Sequence, residues 1–290
     1  DLHLCDRRQR QMCIRDRFLC VSRPRRFGKS MAAEMLAAYY QRNCDSQKLF
    51  ANMSIAKDPS FPVHLNRYNT IFLNMQDFFS RTHNIDRMCE LFSKYVLRDL
   101  LREYPDLDYL DQTDLIDVLQ EIYREYKIPF VFIIDEWDCI FHKNFVTEED
   151  RQNYISFLSN LLKDHAYVSL SYMTGILPIA KYSSGSELNM FSEYTMASEE
   201  KFSEDFGFTE SETDMLYRRY LEICRNEGKT PYVTREGLET WYDGYYAKNG
   251  ERMYNPRSVV ASLTNNNLDS YWTSSGPYDE IFYYVKNNVA

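Results

Sequence analysis

The segment Phe18-Leu-Cys-Val-Ser-Arg-Pro-Arg-Arg-Phe-Gly-Lys-Ser30 constrains this chain more than any other stretch. A short apolar run leads into a tight basic loop, closes on Gly-Lys-Ser and opens onto a helical pattern from Met31 to Gln41. Strand, loop and helix in that order form a phosphate cradle of the Walker A type. Gly28 lets the backbone approach an anion with no Cβ in the way. Lys29 supplies a point charge for β- and γ-phosphate oxygens, and the Ser30 hydroxyl suits Mg²⁺. The first turn of the helix, from Lys29 and Ser30 to Met31, offers free N–H groups and a positive dipole end to the same anion. One position departs from G-x-x-x-x-G-K-[ST]: Arg23 stands where the first glycine belongs.

A lone Gly-Lys-Ser is common by chance, so a second site has to agree with it. Pro129-Phe-Val-Phe-Ile-Ile-Asp135-Glu136 is an unbroken apolar run closed by two carboxylates. With no polar alternation it predicts a parallel strand buried on both faces. Ligands of open α/β sheets bind at the C-terminal ends of such strands. In a Walker B reading Asp135 organises Mg²⁺ and Glu136 is the general base for an attacking water. A third run, Ala166–Gly175, is rich in β-formers and ends in Thr174, which suits either a γ-phosphate sensor or a plain strand end before a glycine turn. A fourth strand is predicted over Thr70–Asp77, with Asp77 as a strand-end cap or loop residue.

Several segments together resemble the AAA-ATPase-like family, a STAND-related group of P-loop ATPases from bacteria and archaea. They are Arg23–Ser30, Ile133-Ile-Asp-Glu-Trp-Asp138, Met173–Lys181, Phe206–Glu212, Trp241-Tyr-Asp-Gly-Tyr245 and Tyr254-Asn-Pro-Arg-Ser-Val259. The match runs over roughly residues 18–290. An Arg at the first glycine position is usual in that family, so the resemblance implies a competent site at Arg23. The family pattern has an aromatic where Arg257 stands, so no role transfers to that position. The resemblance implies that members commonly continue into a PD-(D/E)XK nuclease-like domain, and residue 290 comes before such a domain would be expected. Through such a domain alone would nucleic acid become a partner.

Composition narrows the remaining classes. Seven scattered Cys, odd in number and without paired spacing, predict reduced thiols and a cytoplasmic setting rather than a disulfide framework. No apolar run is long enough to span a membrane. The net charge of −9 opposes bulk capture of nucleic acid. The 24 Tyr and 18 Phe read as core and interface packing, because no basic interleaving accompanies them. Residues 1–17 carry five Arg and three Asp without periodicity, and are expected to be a non-native leader outside the fold.

The expected architecture is therefore α/β: a P-loop domain over 18–200 with a parallel sheet of the additional-strand type, then a small helical, lid-type or winged-helix-like domain over 201–290. Helices are expected at 29–41, 84–103, 112–126, 148–164, 210–226, 234–242 and 259–265. Thr147, Thr209 and Thr234 are the predicted N-caps of three of them, and Ser258 of the last. Residues 182–206 are expected to leave the sheet as a loop or hairpin. ATP and Mg²⁺ are the expected ligands, cradled by Arg23, Pro24, Arg25, Arg26, Phe27, Gly28, Lys29, Ser30 and Met31. The metal falls to Ser30 and Asp135, and the chemistry to Glu136, Lys29 and Thr174. For the arginines at 23, 25 and 26 two roles stay open: at least one guanidinium faces the phosphates or an acidic neighbour, or Arg23 only fills the space of the missing glycine and pairs with a surface carboxylate. Phe27 is expected to turn into the core. For the chain as a whole the leading expectation is an ATP-hydrolysing switch or motor, with a protein partner or self-association. The alternatives are a nucleotide-gated interaction module and the regulatory half of a nuclease.

Overall fold

The computed structural model describes residues 17–141, 143, 145–179, 187–196, 202, 205–247 and 249–271; residues 1–16, on which the expectation of a non-native segment falls, Lys181 and Lys248 lie outside them. The chain divides into two compact units. One takes the residues up to Ser22 together with Lys29–Glu193, and the other takes Arg23–Gly28 together with the residues from Tyr194 onward.

The first unit is a layered α/β body. Its strands are β1 (Phe18–Ser22), β2 (Asn69–Asn74), β3 (Phe130–Asp135) and β4 (Val168–Gly175), with β5 (Ser192–Thr195) at the point where the two units divide. They lie in the order β2-β3-β4-β1-β5. The pairings β2·β3, β3·β4 and β4·β1 are all parallel. The strand carrying the acidic pair is thus separated from the strand leading into Gly-Lys-Ser by one extra strand, β4, which is the additional-strand arrangement.

All six residues of β3 are buried, as an apolar run without alternation demands. Helix α1 (Lys29–Tyr40) packs on β2, β3 and β4. Two short helices follow, α2 (Gln47–Phe50) and α3 (Phe61–His64), and both Phe50 and Phe61 pack on Tyr39. Helix α4 (Met75–Thr82) then leads to α5 (Ile85–Glu103), whose buried side chains Ile85, Met88, Phe92, Val96 and Leu100 recur at helical spacing. Burying each such side chain stabilises the unit by about 1.5–3 kcal/mol. Helices α6 (Leu115–Tyr126) and α7 (Glu148–Leu162) complete it. Helix α7 starts on a capping box in which Thr147 Oγ1 accepts from Asp150 N at 3.1 Å while Thr147 N donates to the Asp150 carboxylate at 2.8 Å.

Among its described residues the second unit holds three helices, α8 (Glu210–Glu227), α9 (Arg235–Tyr242) and α10 (Pro256–Asn265). Their shared core is Tyr220, Cys224, Val233, Leu238, Tyr242, Tyr254 and Val259. Thr209 forms a reciprocal capping box with Glu212, and Thr234 caps α9. Gly228 ends α8 in the left-handed conformation, φ +65°.

Four expectations require correction. The strand predicted over Thr70–Asp77 stops at Asn74. The Asn74 side chain accepts from Gln76 N at 3.0 Å and turns the chain into α4, so Asp77 lies in a helical first turn. Helix α10 begins three residues earlier than predicted. Its cap is Asn255, because Pro256 at the first helical position has no N–H to leave unpaired, and Ser258 is buried inside the helix. Part of the 182–206 stretch is not loop but the strand β5. Lastly, the second unit is not wholly helical: β6 (Phe208–Thr209), β7 (Tyr245–Tyr246) and β8 (Arg252–Tyr254) form an antiparallel sheet in the order β6-β8-β7.

Candidate functional site

Strand register brings the predicted catalytic residues of the first unit together. Asp135 and Thr174 are direct partners on β3 and β4, and Val21 and Ser22 of β1 stand beside Thr174 and Gly175. The C-terminal ends of three adjacent strands therefore converge where α1 begins with Lys29 and Ser30. Ser22 Oγ closes this end by donating to Leu177 O at 3.0 Å.

Asp135 is 1% exposed and Thr174 wholly buried. One carboxyl oxygen of Asp135 accepts from Glu136 N at 3.0 Å. The other oxygen, Oδ2, has no hydrogen-bond partner among the described residues, and neither has Thr174 Oγ1. Buried polar atoms are ordinarily paired, and these two unpaired atoms stand next to each other at the strand ends. Burial pushes the Asp135 pKa above its ordinary value. The Ser30 hydroxyl, the Lys29 ammonium and the Glu136 N–H pull against that rise, while Asp138 adds to it. The net direction shows that desolvation outweighs the stabilising neighbours of the carboxylate. A divalent cation shared with a polyphosphate needs few protein ligands. Ser30 and Asp135 fit that demand, and no cluster of three or more His, Cys, Asp and Glu side chains that could hold a metal exists among the described residues.

The turn after Asp135 is strained and heavily supported. Glu136 has φ +54°, in the left-handed region that non-glycine residues avoid. The peptide beyond it is pinned at both ends: Trp137 N donates to Thr174 O at 3.1 Å, and Tyr154 Oη donates to Trp137 O at 2.8 Å. Trp137 itself is fully buried. Local strain held by such over-determination aims the half-buried Glu136 side chain.

Asp138 is a site residue to which sequence reasoning gave no role. Its Oδ2 accepts from Ile176 N at 2.9 Å and from Leu177 N at 2.7 Å, which fixes the chain just after Thr174. The approach depends on Gly175, where a Cβ would lie 2.5 Å from Asp138 Oδ1. The available signal was a second Asp three residues after Asp135, matched by a glycine directly after Thr174.

The loop Arg23–Gly28 belongs to the second unit, and it corrects the simplest reading of its arginines. Arg23 is wholly buried, donating from Nη1 to Tyr194 O at 2.7 Å and from Nη2 to Phe202 O at 2.6 Å. Its guanidinium also lies over the Phe206 ring at 5.2 Å. Arg23 is therefore an internal clamp, and only its backbone is available to the cradle. Arg26 donates to Tyr271 O. Its pKa is lowered, first by burial and then by the neighbouring charges of Arg257 and Arg25, so three cations crowd together there. Phe27 is 1% exposed and packs edge-on against Tyr245 at 4.8 Å. Gly28 has φ +89° and open space where a Cβ would stand. Pro24 is half-buried, while Arg25, Ser30 and Met31 are exposed.

A sheet of additional-strand order, with Gly-Lys-Ser at the foot of one strand and Asp-Glu at the end of another, defines a P-loop protein. The family model for predicted AAA-ATPases matches residues 10–184, more than half of the sequence, and the chain belongs to that family. It is also similar to an "Uncharacterized protein in vnfD 5'region" of Azotobacter chroococcum mcd 1, with 26% identity in an alignment 278 residues long that covers 88% of this chain and 47% of the relative, so the chain spans about half of that protein's length. Among solved structures, the Aeropyrum pernix ORC1 protein in complex with DNA is similar with a TM-score of 0.40 and 12% identity, covering 91% of this chain and 55% of its own. The Aeropyrum pernix ORC2 protein, in ADPNP and ADP complexes, gives 0.39 and 10%, covering 92% and 64%. No helix among the described residues is long and apolar enough to cross a membrane.

Proposed function

We propose that this chain binds ATP with Mg²⁺ and hydrolyses it to drive a switch. The observation that carries the reading is the paired orphans, Asp135 Oδ2 and Thr174 Oγ1, set side by side in register at the sheet end where Lys29 and Ser30 begin α1. In this reading the first-turn N–H groups of α1 and the Lys29 ammonium bind the β- and γ-phosphate oxygens. Ser30 and Asp135 hold the Mg²⁺, which when bound spreads the charge developing on the phosphates. Glu136 takes a proton from the water that attacks the γ-phosphorus as the bond to the ADP oxygen breaks. Thr174 hydrogen-bonds the γ-phosphate or that water and so registers its loss.

The assignment is tested by Lys29→Ala. Lys29 is buried and acts electrostatically on Asp135. Removing one partner of a buried charge pair costs about 3–5 kcal/mol, so affinity for Mg²⁺·ATP in a titration should fall by more than a hundredfold. Affinity unchanged within about twofold overturns the assignment.

A further inference from the structure

We propose that Asn255 is a positioning residue for the phosphate loop, and that the segments 241–245 and 254–258 of the second unit serve to hold that loop in shape. This rests on the proposed function in one respect only, that phosphate binds at the loop; the anchoring stands on geometry within the second unit.

Asn255 is 7% exposed and divides its amide between two tasks. Oδ1 accepts from Ser258 N at 3.1 Å and caps α10, while Nδ2 donates to Arg25 O at 3.2 Å across 230 positions of sequence. Arg25 C=O and Arg26 N–H belong to one planar trans peptide, and they point in opposite directions. Holding the carbonyl on Asn255 therefore aims the Arg26 N–H the other way, and prevents a peptide flip that would turn an oxygen toward an anion. The next residue, Arg26, has φ +67°, a backbone conformation that persists only where its surroundings enforce it.

Other residues of the same segments secure the rest of the loop. Tyr245 packs edge-on against Phe27. Outside those segments, Gly207, at φ +98°, also lies against Phe27: a Cβ there would come within 2.9 Å of Phe27 Cε1 and 3.1 Å of Met253 Cε. Arg23 holds the loop's first residue to the carbonyls of Tyr194 and Phe202. A glycine-rich phosphate loop keeps its shape through its own turns. This loop has arginine in place of the first glycine, and takes its shape from the second unit.

The two tasks of Asn255 can be separated. Asn255→Asp keeps the cap acceptor, since Asp and Asn are equally good at that position, but it loses the donor to Arg25 O. Asn255→Ser also caps and is too short to reach the loop. The full chain is compared as wild type, Asn255→Asp and Asn255→Ser, by thermal melting, by amide hydrogen exchange over residues 24–30 without nucleotide, and by titration with a fluorescent ATP analogue and Mg²⁺. Both variants should melt within about 2 °C of wild type, since the cap survives. Both should exchange faster over the loop and bind the analogue about 3- to 10-fold more weakly, the equivalent of one net hydrogen bond. Wild-type loop protection with wild-type affinity in the variants would make Asn255 a helix cap and nothing more. If wild-type protein binds no analogue, the nucleotide reading fails by itself. The exchange rates then decide the anchoring.

Discussion

Replacing Asp135 by Asn should stabilise the empty protein and remove its response to Mg²⁺·ATP. The carboxylate is 1% exposed, with one oxygen on Glu136 N and the other unpartnered. Holding an ionised carboxylate in such a place costs several kcal/mol, and Lys29 and Ser30 offset only part of it, since the pKa still stands above its ordinary value. Asn keeps the acceptor for Glu136 N and leaves one amide N–H₂ unpaired, at about 1–3 kcal/mol. The difference favours Asn by about 1–2 kcal/mol, or roughly 2–6 °C in melting temperature for a chain of this size. Because the folded pKa is raised, the sign with pH follows. The wild-type protein is relieved of this penalty below the ordinary carboxylate value of 3.8 and loses stability as pH climbs through the raised one. The Asn variant lacks that descent. Saturating Mg²⁺·ATP, at about a hundred times Kd, adds about 2.7 kcal/mol to wild type and little to the variant, so their order inverts. The assay is differential scanning calorimetry at neutral pH, in EDTA and then with Mg²⁺·ATP. A variant that melts below wild type in EDTA, or gains equally from nucleotide, refutes the reasoning.

Glu136→Gly should raise stability by about 0.5–1 kcal/mol. The left-handed φ of +54° costs an L-residue about 1–2 kcal/mol, and glycine gives back about 0.5–1 in chain entropy. Chemical denaturation should therefore rank Glu136→Gly above Glu136→Gln, and the reverse order contradicts a strained turn. Gly175→Ala should destabilise by about 1–3 kcal/mol, because its Cβ would sit 2.5 Å from Asp138 Oδ1 and 2.8 Å from Trp137 Cδ1. A melting temperature unchanged in that variant would show that Asp138 is not held there by the two amides it accepts from.

The sheet was legible because its strand β3 is a nearly pure apolar run. Phe130–Asp135 is buried throughout, and the capping boxes at Thr147 and Thr209 announce their helices by side-chain chemistry alone. The short elements were not legible. Strands of two or three residues such as Phe208–Thr209 and Arg252–Tyr254 show no period, and Phe208–Thr209 finds its partner only across more than forty residues. The caps at Asn74 and Asn255 were not recognised for a common reason: the same residue type ends a strand, starts a turn or caps a helix, and only the position of the accepted N–H distinguishes these. The strand-end placement of Asp135, Glu136 and Thr174 was readable from the sequence, whereas the contact made by Asp138 was not. Its work is on backbone amides 38 and 39 residues away, which leaves no local pattern. Arg23 looked like a phosphate ligand because the sequence shows its charge. It does not show the carbonyls of Tyr194 and Phe202 that take that charge.

The most direct measurement is steady-state ATP hydrolysis by the purified full chain with Mg²⁺, wild type beside Glu136→Gln, with nucleotide affinity measured on both. A base that takes the proton of the attacking water contributes about 10²–10⁴-fold, so the variant should bind Mg²⁺·ATP as wild type does while its turnover falls by that factor. Turnover by Glu136→Gln at the wild-type rate would contradict the account.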